Sequence, residues 1–317
     1  PPPPPHVPYT TLFRSLWKAS SMSDVHRKWY YLIVLSLIWG TSYILIKKGL
    51  KGFNPIQLGV MRVLITSLFM AIIGFRSLRG ISREQWKWIA VSGMIGSFIP
   101  VFLFAFAQSE IDSSIASILN STVPLFTIIV GFLWFGIISS LRQFLGVIVG
   151  LLGAILLIVL GASINPDQNY TYAGLVILAT IGYAFNANII ISKMQDVSPL
   201  GIATGNFMVM VLPALIISAF SGVTDEEVIQ GPYFMSSLAY IIILAIFGTC
   251  IAKVMFNRLI QLSTPVFSVS VTYLIPIVGV LWGLLDGELF KPQQLFAALI
   301  ILFGVYLVNR RTQTKIE

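Results

Sequence analysis

The sequence predicts an all-α membrane protein with ten transmembrane helices, arranged as two inverted repeats of five helices. Three observations lead to this fold class: an apolar composition, ten long apolar runs and a similarity between the two halves. Of the 317 residues, 56% are hydrophobic and 10% are charged, and the mean hydropathy is +0.88. A typical soluble domain has about 25% charged residues, so the composition indicates a membrane protein.

The ten apolar runs have about the length of a helix that crosses a bilayer, which takes roughly 20 residues. Backbone groups in lipid must be hydrogen-bonded within the structure, and the runs lack the alternation of barrel strands, so we predict helices. The predicted helices are Tyr30–Ile46, Pro55–Phe75, Trp86–Ala107, Ser114–Phe135, Phe144–Leu160, Tyr172–Ile191, Leu200–Phe220, Leu238–Ile260, Val266–Leu285 and Leu295–Val308. Little chain is left for a domain outside the membrane.

The two halves of the chain resemble each other at an offset of 152 residues. This offset places residues 95–108 on 247–260 and Pro124 on Pro276, and a one-residue gap then aligns Gly153 with Gly304. Each half contains five predicted helices, and an odd number inverts the second half. Inverted-repeat transporters hold their substrate near the membrane midplane, although channels and some membrane enzymes are also duplicated. We assign residues 22–161 to the first repeat, 162–310 to the second and 311–317 to a cytoplasmic tail.

Residues 1–21, PPPPPHVPYTTLFRSLWKASS, have neither the periodicity of a helix nor the composition of a targeting segment. The stretch PYTTLFRS resembles a translated sequencing adapter, which predicts that the segment is non-native and that the native chain starts at Met22. If the segment is native, its prolines predict a disordered tail.

Basic residues in the short loops predict the orientation, because Lys and Arg accumulate on the cytoplasmic side. We expect both termini in the cytoplasm, so that only Lys47, Lys48, Lys51 and Lys291 lie outside. The net charge of +8 then reflects this bias and does not indicate nucleic-acid binding. Lys47, Lys48 and Lys51 are an exception that the sequence does not explain. The predicted cytoplasmic residues are Arg27, Lys28, Arg76, Arg79, Arg83, Lys87, Arg142, Lys193, Arg258, Arg310, Arg311 and Lys315.

Residues 37–64, LIWGTSYILIKKGLKGFNPIQLGVMRVL, resemble the opening of an EamA-family member of the drug/metabolite transporter superfamily. The resemblance rests on Trp-Gly-Thr-Ser-aromatic in the first helix, followed by Pro55 and Arg62 in the second. Both halves also end with a proline-containing helix, a short loop and a glycine-containing helix. The second half has the family's acidic turn, with Glu288 at the acidic position, whereas the first half reads FLWFGIISSLRQ without an acid.

This resemblance covers essentially all of residues 29–310. It implies a ten-helix secondary transporter of the bacterial cytoplasmic (inner) membrane that exports or exchanges a small metabolite by alternating access. A proton or another coupling ion is a possible partner besides the substrate and membrane lipid. The family does not fix the substrate, and the oligomeric state is not predicted.

No cofactor or metal site is predicted. Cys250 is the single cysteine, and the two histidines, His6 and His26, lie near the N-terminus, so no cluster has metal-ligand spacing. An intramembrane acid pair and a P-loop are also missing, which disfavours a membrane-embedded enzyme. A lipid or lipid-linked flippase on the same scaffold, and a multidrug exporter, remain alternatives.

Two basic residues, Arg62 and Lys253, lie inside predicted helices, where an ionisable group is costly and indicates function. No Asp or Glu lies well inside a predicted helix, so a carboxylated substrate would complement these cations. This favours an amino acid or another organic acid over a cationic drug. Thr249, Lys253 and Asn257 share one polar helix face, as expected for a water-lined surface. The alternatives are snorkelling or inter-helix packing for Lys253 and a structural role for Arg62.

Further residues are predicted to line the substrate pocket, because pockets combine apolar walls with a few polar groups. Lipid contact or core packing is the alternative for the aromatic residues, and inter-helix hydrogen bonding is the alternative for the amides. Pro124 and Pro276 interrupt equivalent helices and are predicted hinges. The predicted pocket residues are Trp39, Tyr43, Phe98, Phe102, Tyr183 and Tyr273, with Asn120, Asn186 and Asn206.

Overall fold

The structure, a computed structural model, describes residues 24–263 and 265–309 and contains helices and no β-strand within them. In this part of the chain, nine segments are long and apolar enough to span a membrane, and a tenth apolar helix is shorter. The all-α membrane fold is thereby confirmed. The predicted N-terminal segment, residues 1–21, and the predicted tail, 311–317, lie outside the described residues. The helices are α1 His26–Gly49, α2 Pro55–Leu78, α3 Arg83–Gln108, α4 Ser113–Phe135, α5 Leu141–Gly161, α6 Tyr170–Lys193, α7 Pro199–Phe220, α8 Phe234–Leu262, α9 Phe267–Leu285 and α10 Pro292–Val308.

Capping residues set where several helices begin. At α2 the Asn54 side chain accepts a hydrogen bond from the Gln57 backbone N–H at 2.9 Å, and the Gln57 side chain accepts one from the Asn54 N–H at 3.0 Å. Ser-x-x-Gln pairs form the same reciprocal capping box at α3 and α5. Because the first turn of a helix leaves backbone donors unpaired, these side chains stabilise the helix starts.

Equivalent helices of the two halves have equivalent neighbours. Helix α2 packs on α7 and α5 packs on α10; α1 packs on α8 and α9, while α6 packs on α3 and α4. Two irregularities also recur at the 152-residue offset. Helices α3 and α8 contain π-helical turns at Met94–Phe98 and Leu244–Ile251. Helices α4 and α9 are interrupted, and their second parts start at Val123 and Ile275.

Pro124 and Pro276 lie in the first turn of these second parts rather than in a helix interior. At this position the missing N–H removes no intrahelical hydrogen bond. The interruption itself comes just before each proline, so the hinge role of the two residues stays a prediction.

Glycines allow the backbones of α5 and α10 to contact each other. A Cβ added at Gly146 would lie 2.7 Å from the Gly304 carbonyl oxygen, and one added at Gly304 would lie 2.6 Å from the Gly146 carbonyl oxygen. Small residues allow this approach between membrane helices, where packing drives association.

An ion-pair cluster joins α1, α4 and the loop between α9 and α10. Lys47 Nζ lies 2.8 Å from Glu288 Oε1 and 2.9 Å from Asp286 Oδ2, and Lys48 also pairs with Asp286. Glu288 further accepts hydrogen bonds from the backbone N–H groups of Ser113 and Ser114, each at 3.0 Å. Two of the three lysines that depart from the charge rule of the loops, Lys47 and Lys48, thus have carboxylate partners.

Burial of the Glu288 carboxyl would by itself raise its pKa, but the hydrogen bonds from Lys47, Ser113 and Ser114 outweigh this effect and hold the pKa below its usual value. The ionised carboxylate is therefore the form that the folded protein stabilises.

Candidate functional site

A cavity of about 110 Å³ lies between the two repeats, bounded by α1 to α4, α6, α8 and α9. An apolar cavity of about 150 Å³ holds a benzene molecule, so this space has the dimensions of a small solute. Its wall combines aromatic side chains with a few polar ones, as small-molecule sites do.

The two π-helical turns both contribute to the wall. Gly96 and Ser97 come from the turn in α3, and Gly248 and Thr249 come from the turn in α8. The Gly248 carbonyl accepts a hydrogen bond from Trp39 Nε1 at 3.0 Å. π-Helical turns inside α-helices often occur at functional sites, and here a repeated pair of them faces one cavity.

Lys253 lies in the cavity wall and is only 8% exposed. Its Nζ donates to Ser97 Oγ at 2.9 Å and to Asn186 Oδ1 at 3.4 Å. Both acceptors are neutral, and the residues that line the cavity include no Asp or Glu. The ammonium group therefore points into the protein rather than to the cytoplasmic surface.

Arg62 is the second cation in the wall. Its Nε donates to Thr249 Oγ1 at 2.9 Å, and the Thr249 hydroxyl in turn donates to the Leu244 carbonyl at 3.1 Å. Tyr43 and Tyr183 lie close enough to interact electrostatically with the guanidinium group. This hydrogen bond and the one from Lys253 to Ser97 hold two basic side chains beside one cavity.

Aromatic rings form much of the remaining wall. The ring centroids of Trp39 and Phe256 are 5.0 Å apart in an edge-to-face arrangement. Phe104 stands edge-on to Tyr43 at 5.7 Å and stacks on Tyr183 at 6.0 Å. Such pairs are rigid and apolar, so they hold the polar groups of the wall in place.

The structure brings eight of the predicted pocket residues together at the cavity. They come from α1, α2, α4, α6 and α8, which are distant in sequence. These residues are Trp39, Tyr43, Arg62, Asn120, Tyr183, Asn186, Thr249 and Lys253.

Three other predicted residues hydrogen-bond outside the cavity. Asn257 Nδ2 donates to the Pro199 carbonyl at 3.2 Å, and the Tyr273 hydroxyl donates to the Val305 carbonyl at 2.8 Å. Asn206 Nδ2 donates to the Ile89 carbonyl at 2.7 Å. In each case the side chain links two helices. For Asn206 this was the stated alternative to a place in the pocket.

Phe98 and Phe102 also lie outside the cavity wall. Their rings contact each other at 5.1 Å and pack in an apolar cluster with residues of α2 and α7. Phe102 is fitted against Gly59, where a Cβ would come too close to the ring. These two aromatic residues belong to the core.

The sequence interpretation missed several wall residues. Ser97 Oγ accepts a hydrogen bond from Lys253, and the Gly248 carbonyl accepts one from Trp39. The alignment of Gly96-Ser97 with Gly248-Thr249 in the repeat could have pointed to both residues. The other missed residues carry no comparable signal, since they are ordinary small or apolar residues of membrane helices. They are Ser42, Ile46, Val101, Phe104, Val123, Phe256, Val269, Val271 and Thr272.

Comparison with known proteins assigns the family. The EamA-like transporter family matches residues 27–159 and 171–310. The chain belongs to this family. The family resemblance predicted from the sequence is thereby confirmed, and this EamA-like chain is a multi-pass inner-membrane protein of a transporter family.

Two named relatives agree with this assignment, and a solved structure shares the fold. The uncharacterized inner membrane transporter YedA of Escherichia coli (strain K12) is 27% identical over 283 residues, covering 88% of this chain and 89% of YedA. A probable amino-acid metabolite efflux pump of Salmonella typhimurium (strain LT2) is 23% identical over 88% of this chain and 93% of that protein. A crystal structure aligns with a TM-score of 0.59 and 17% identity over 88% of this chain and 95% of that one, which shows the fold alone.

The wall of the cavity presents basic, neutral polar and aromatic groups. Among the described residues, no group of three or more His, Cys, Asp or Glu side chains has the geometry to hold a metal ion. The wall offers two fixed cations, neutral hydrogen-bonding groups and aromatic faces. These groups can attract, orient and release an anionic solute.

Proposed function

We propose that this EamA-like transporter exports or exchanges a small organic acid, either an amino acid or another carboxylate, by alternating access. The observation that carries the proposal is the pair of buried basic side chains, Arg62 and Lys253, in a cavity whose described lining residues include no carboxylate. The Salmonella relative named as a probable amino-acid metabolite efflux pump supports the same substrate class.

Burial of Lys253 and Arg62 makes their ionised forms costly. An ionised ammonium group in a low-dielectric interior is expensive unless a counter-charge or strong acceptors compensate it. Lys253 has two neutral acceptors and Arg62 Nε has the Thr249 hydroxyl. A carboxylate in the cavity would supply the missing counter-charge, whereas a cationic drug would add a third positive charge.

Alternating access is supported by the symmetry of the wall. The inverted repeats supply equivalent π-helical turns, and both turns line the same cavity. On the predicted orientation, the cluster of Lys47, Asp286 and Glu288 holds together the outer ends of helices from both repeats. Rocking of one repeat against the other would expose the cavity to each side in turn.

The test is uptake of radiolabelled carboxylates by proteoliposomes that contain purified protein. Lys253→Met keeps the side-chain length and removes the charge, and we expect it to reduce uptake about tenfold or more, as loss of a charge-assisted hydrogen bond does. Lys253→Arg keeps the charge and is expected to retain more activity than Lys253→Met.

Lys193→Met is the matched control, because Lys193 lies over the Trp88 ring at the end of α6, away from the cavity. It should leave uptake unchanged while removing the same charge. Equal uptake by Lys253→Met and the wild type across a panel of amino acids and organic acids would refute the proposed role of Lys253.

A further inference from the structure

The wall of the cavity contains one buried acceptor without a partner. Asn120 is 5% exposed, and its Oδ1 is the only buried side-chain oxygen or nitrogen, among the described residues lining the cavity, that has no hydrogen bond. The Asn120 side chain also contacts Tyr43, and we take the amide nitrogen to make this contact because Oδ1 is unpaired.

Three other polar groups of the wall already have protein partners. Asn186 Oδ1 accepts from Lys253, Thr272 Oγ1 donates to the Val269 carbonyl at 2.8 Å, and Ser42 Oγ donates to the Ile38 carbonyl at 2.9 Å. A buried acceptor left unpaired destabilises the protein that contains it. A bound molecule with a hydrogen-bond donor would satisfy Asn120 Oδ1, which accepts a hydrogen bond from no described residue.

The residue equivalent to Asn120 in the other repeat has no unpaired acceptor. The 152-residue offset places it on Thr272, which also lines the cavity. In the second half this position is Thr272, whose hydroxyl donates to a carbonyl of its own helix. In the first half it is Asn120, whose amide oxygen is unpaired. The asymmetry resembles that of Lys253, whose equivalent is Val101.

We infer that Asn120 is a specificity-determining residue that selects carboxylates carrying a hydrogen-bond donor, an ammonium or hydroxyl group, over plain carboxylates. This inference rests on the proposed function, because the cations Arg62 and Lys253 hold the carboxylate while Asn120 Oδ1 accepts from the second group. A site built around a buried acceptor discriminates strongly against an analogue without the donor, since binding that analogue leaves the acceptor unpaired.

The experiment compares matched acids by ligand-induced thermal stabilisation of the purified full chain in lipid nanodiscs, which reports binding to the folded state. One set is alanine, lactate and propionate, and the larger set is phenylalanine, phenyllactate and phenylpropionate. In wild-type protein the amino or hydroxy acid of a set is expected to bind at least about tenfold more tightly than the plain acid.

Two variants locate the effect. Asn120→Leu has similar volume without the acceptor and should bring the ratio close to one. Asn206→Leu, which changes a buried amide outside the cavity, should leave the ratio unchanged. The wild-type comparison needs no variant, so it remains decisive if Asn120→Leu does not fold.

The outcomes separate the two proposals. Equal binding of donor-bearing and plain acids by the wild type, or an unchanged ratio in folded Asn120→Leu, would overturn the role of Asn120 and leave the carboxylate site standing. Failure of all six acids to bind would contradict the proposed function itself, and the inference with it.

Discussion

Glu288→Gln is expected to lower the free energy of unfolding by about 3 kcal/mol at neutral pH. The Glu288 side chain is 1% exposed, and Oε1 accepts from Lys47 Nζ at 2.8 Å and from Ser113 Oγ at 2.6 Å. Backbone N–H groups of Ser113 and Ser114 complete the set at 3.0 Å. Glutamine has a single acceptor oxygen, so its amide nitrogen would face a donor.

The magnitude follows from what each partner loses. Hydrogen bonds to charged groups contribute roughly 1.5 to 3 kcal/mol each, and removal of one member of a buried pair costs about 3 to 5 kcal/mol. Lys47 keeps Asp286 at 2.9 Å after the substitution, which places the expected cost at the lower end of that range.

The effect should depend on pH with a defined sign. The hydrogen bonds to Glu288 hold its pKa below the usual value despite burial, so its stabilisation is fully present above the unfolded pKa of about 4.3 and is lost as the pH falls through the folded pKa. The stability difference between wild type and Glu288→Gln should be constant from about pH 6 to 8 and should shrink below about pH 4.

Thermal unfolding followed by tryptophan fluorescence measures both the difference and its pH dependence. Asp286→Asn is the control, because the Asp286 side chain is 16% exposed and its pairs with Lys47 and Lys48 are expected to contribute no more than about 1 kcal/mol. A cost for Glu288→Gln below about 1 kcal/mol, or one that persists undiminished at low pH, would refute this account.

Two further predictions concern stability. Burial raises the pKa of Asp112, helped by the nearby Glu288 and opposed by Gln168 and Lys47, so the folded state disfavours the ionised form above the unfolded pKa of about 3.9. Asp112→Asn should therefore stabilise the protein at pH 7 and give no gain at pH 3; equal gains would contradict this. Gly304→Ala should cost about 1 to 3 kcal/mol, because its Cβ would meet backbone of α5. Gly174→Ala, where a Cβ meets nothing within 4 Å, should be neutral or stabilising in the same unfolding assay, and equal losses in both variants would refute the packing argument.

The helices were predictable because lipid imposes one rule on the whole chain. A segment such as α5 needs only its run of apolar residues and the Ser140 cap to be recognised. The sequence also singled out Arg62 and Lys253 as candidate site residues, because an ionisable side chain inside a membrane helix is costly. The positions of the helices, and of the ionisable residues inside them, can therefore be read from the hydropathy along the chain.

One sequence could not predict whether a buried polar side chain lines the cavity or hydrogen-bonds a neighbouring helix. Asn186 and Asn206 are both buried amides, yet Asn186 accepts from Lys253 in the cavity while Asn206 donates to the Ile89 carbonyl. The difference depends on which helix faces each residue, and that is set by tertiary packing. The π-helical turns are a similar case, because the repeated Gly-Ser and Gly-Thr pairs are visible in the sequence whereas the wider turn is not.

The two cations show how a symmetric scaffold holds an asymmetric site. Lys253 of the second repeat donates to Ser97 of the first, and Arg62 of the first repeat donates to Thr249 of the second. Ser97 and Thr249 are equivalent residues in the two π-helical turns, whereas Lys253 is matched by Val101. Both hydrogen bonds cross the interface between the repeats. Under the proposed alternating access, motion of one repeat against the other would change the surroundings of both basic side chains together. This would couple opening of the cavity to its affinity for the proposed carboxylate substrate.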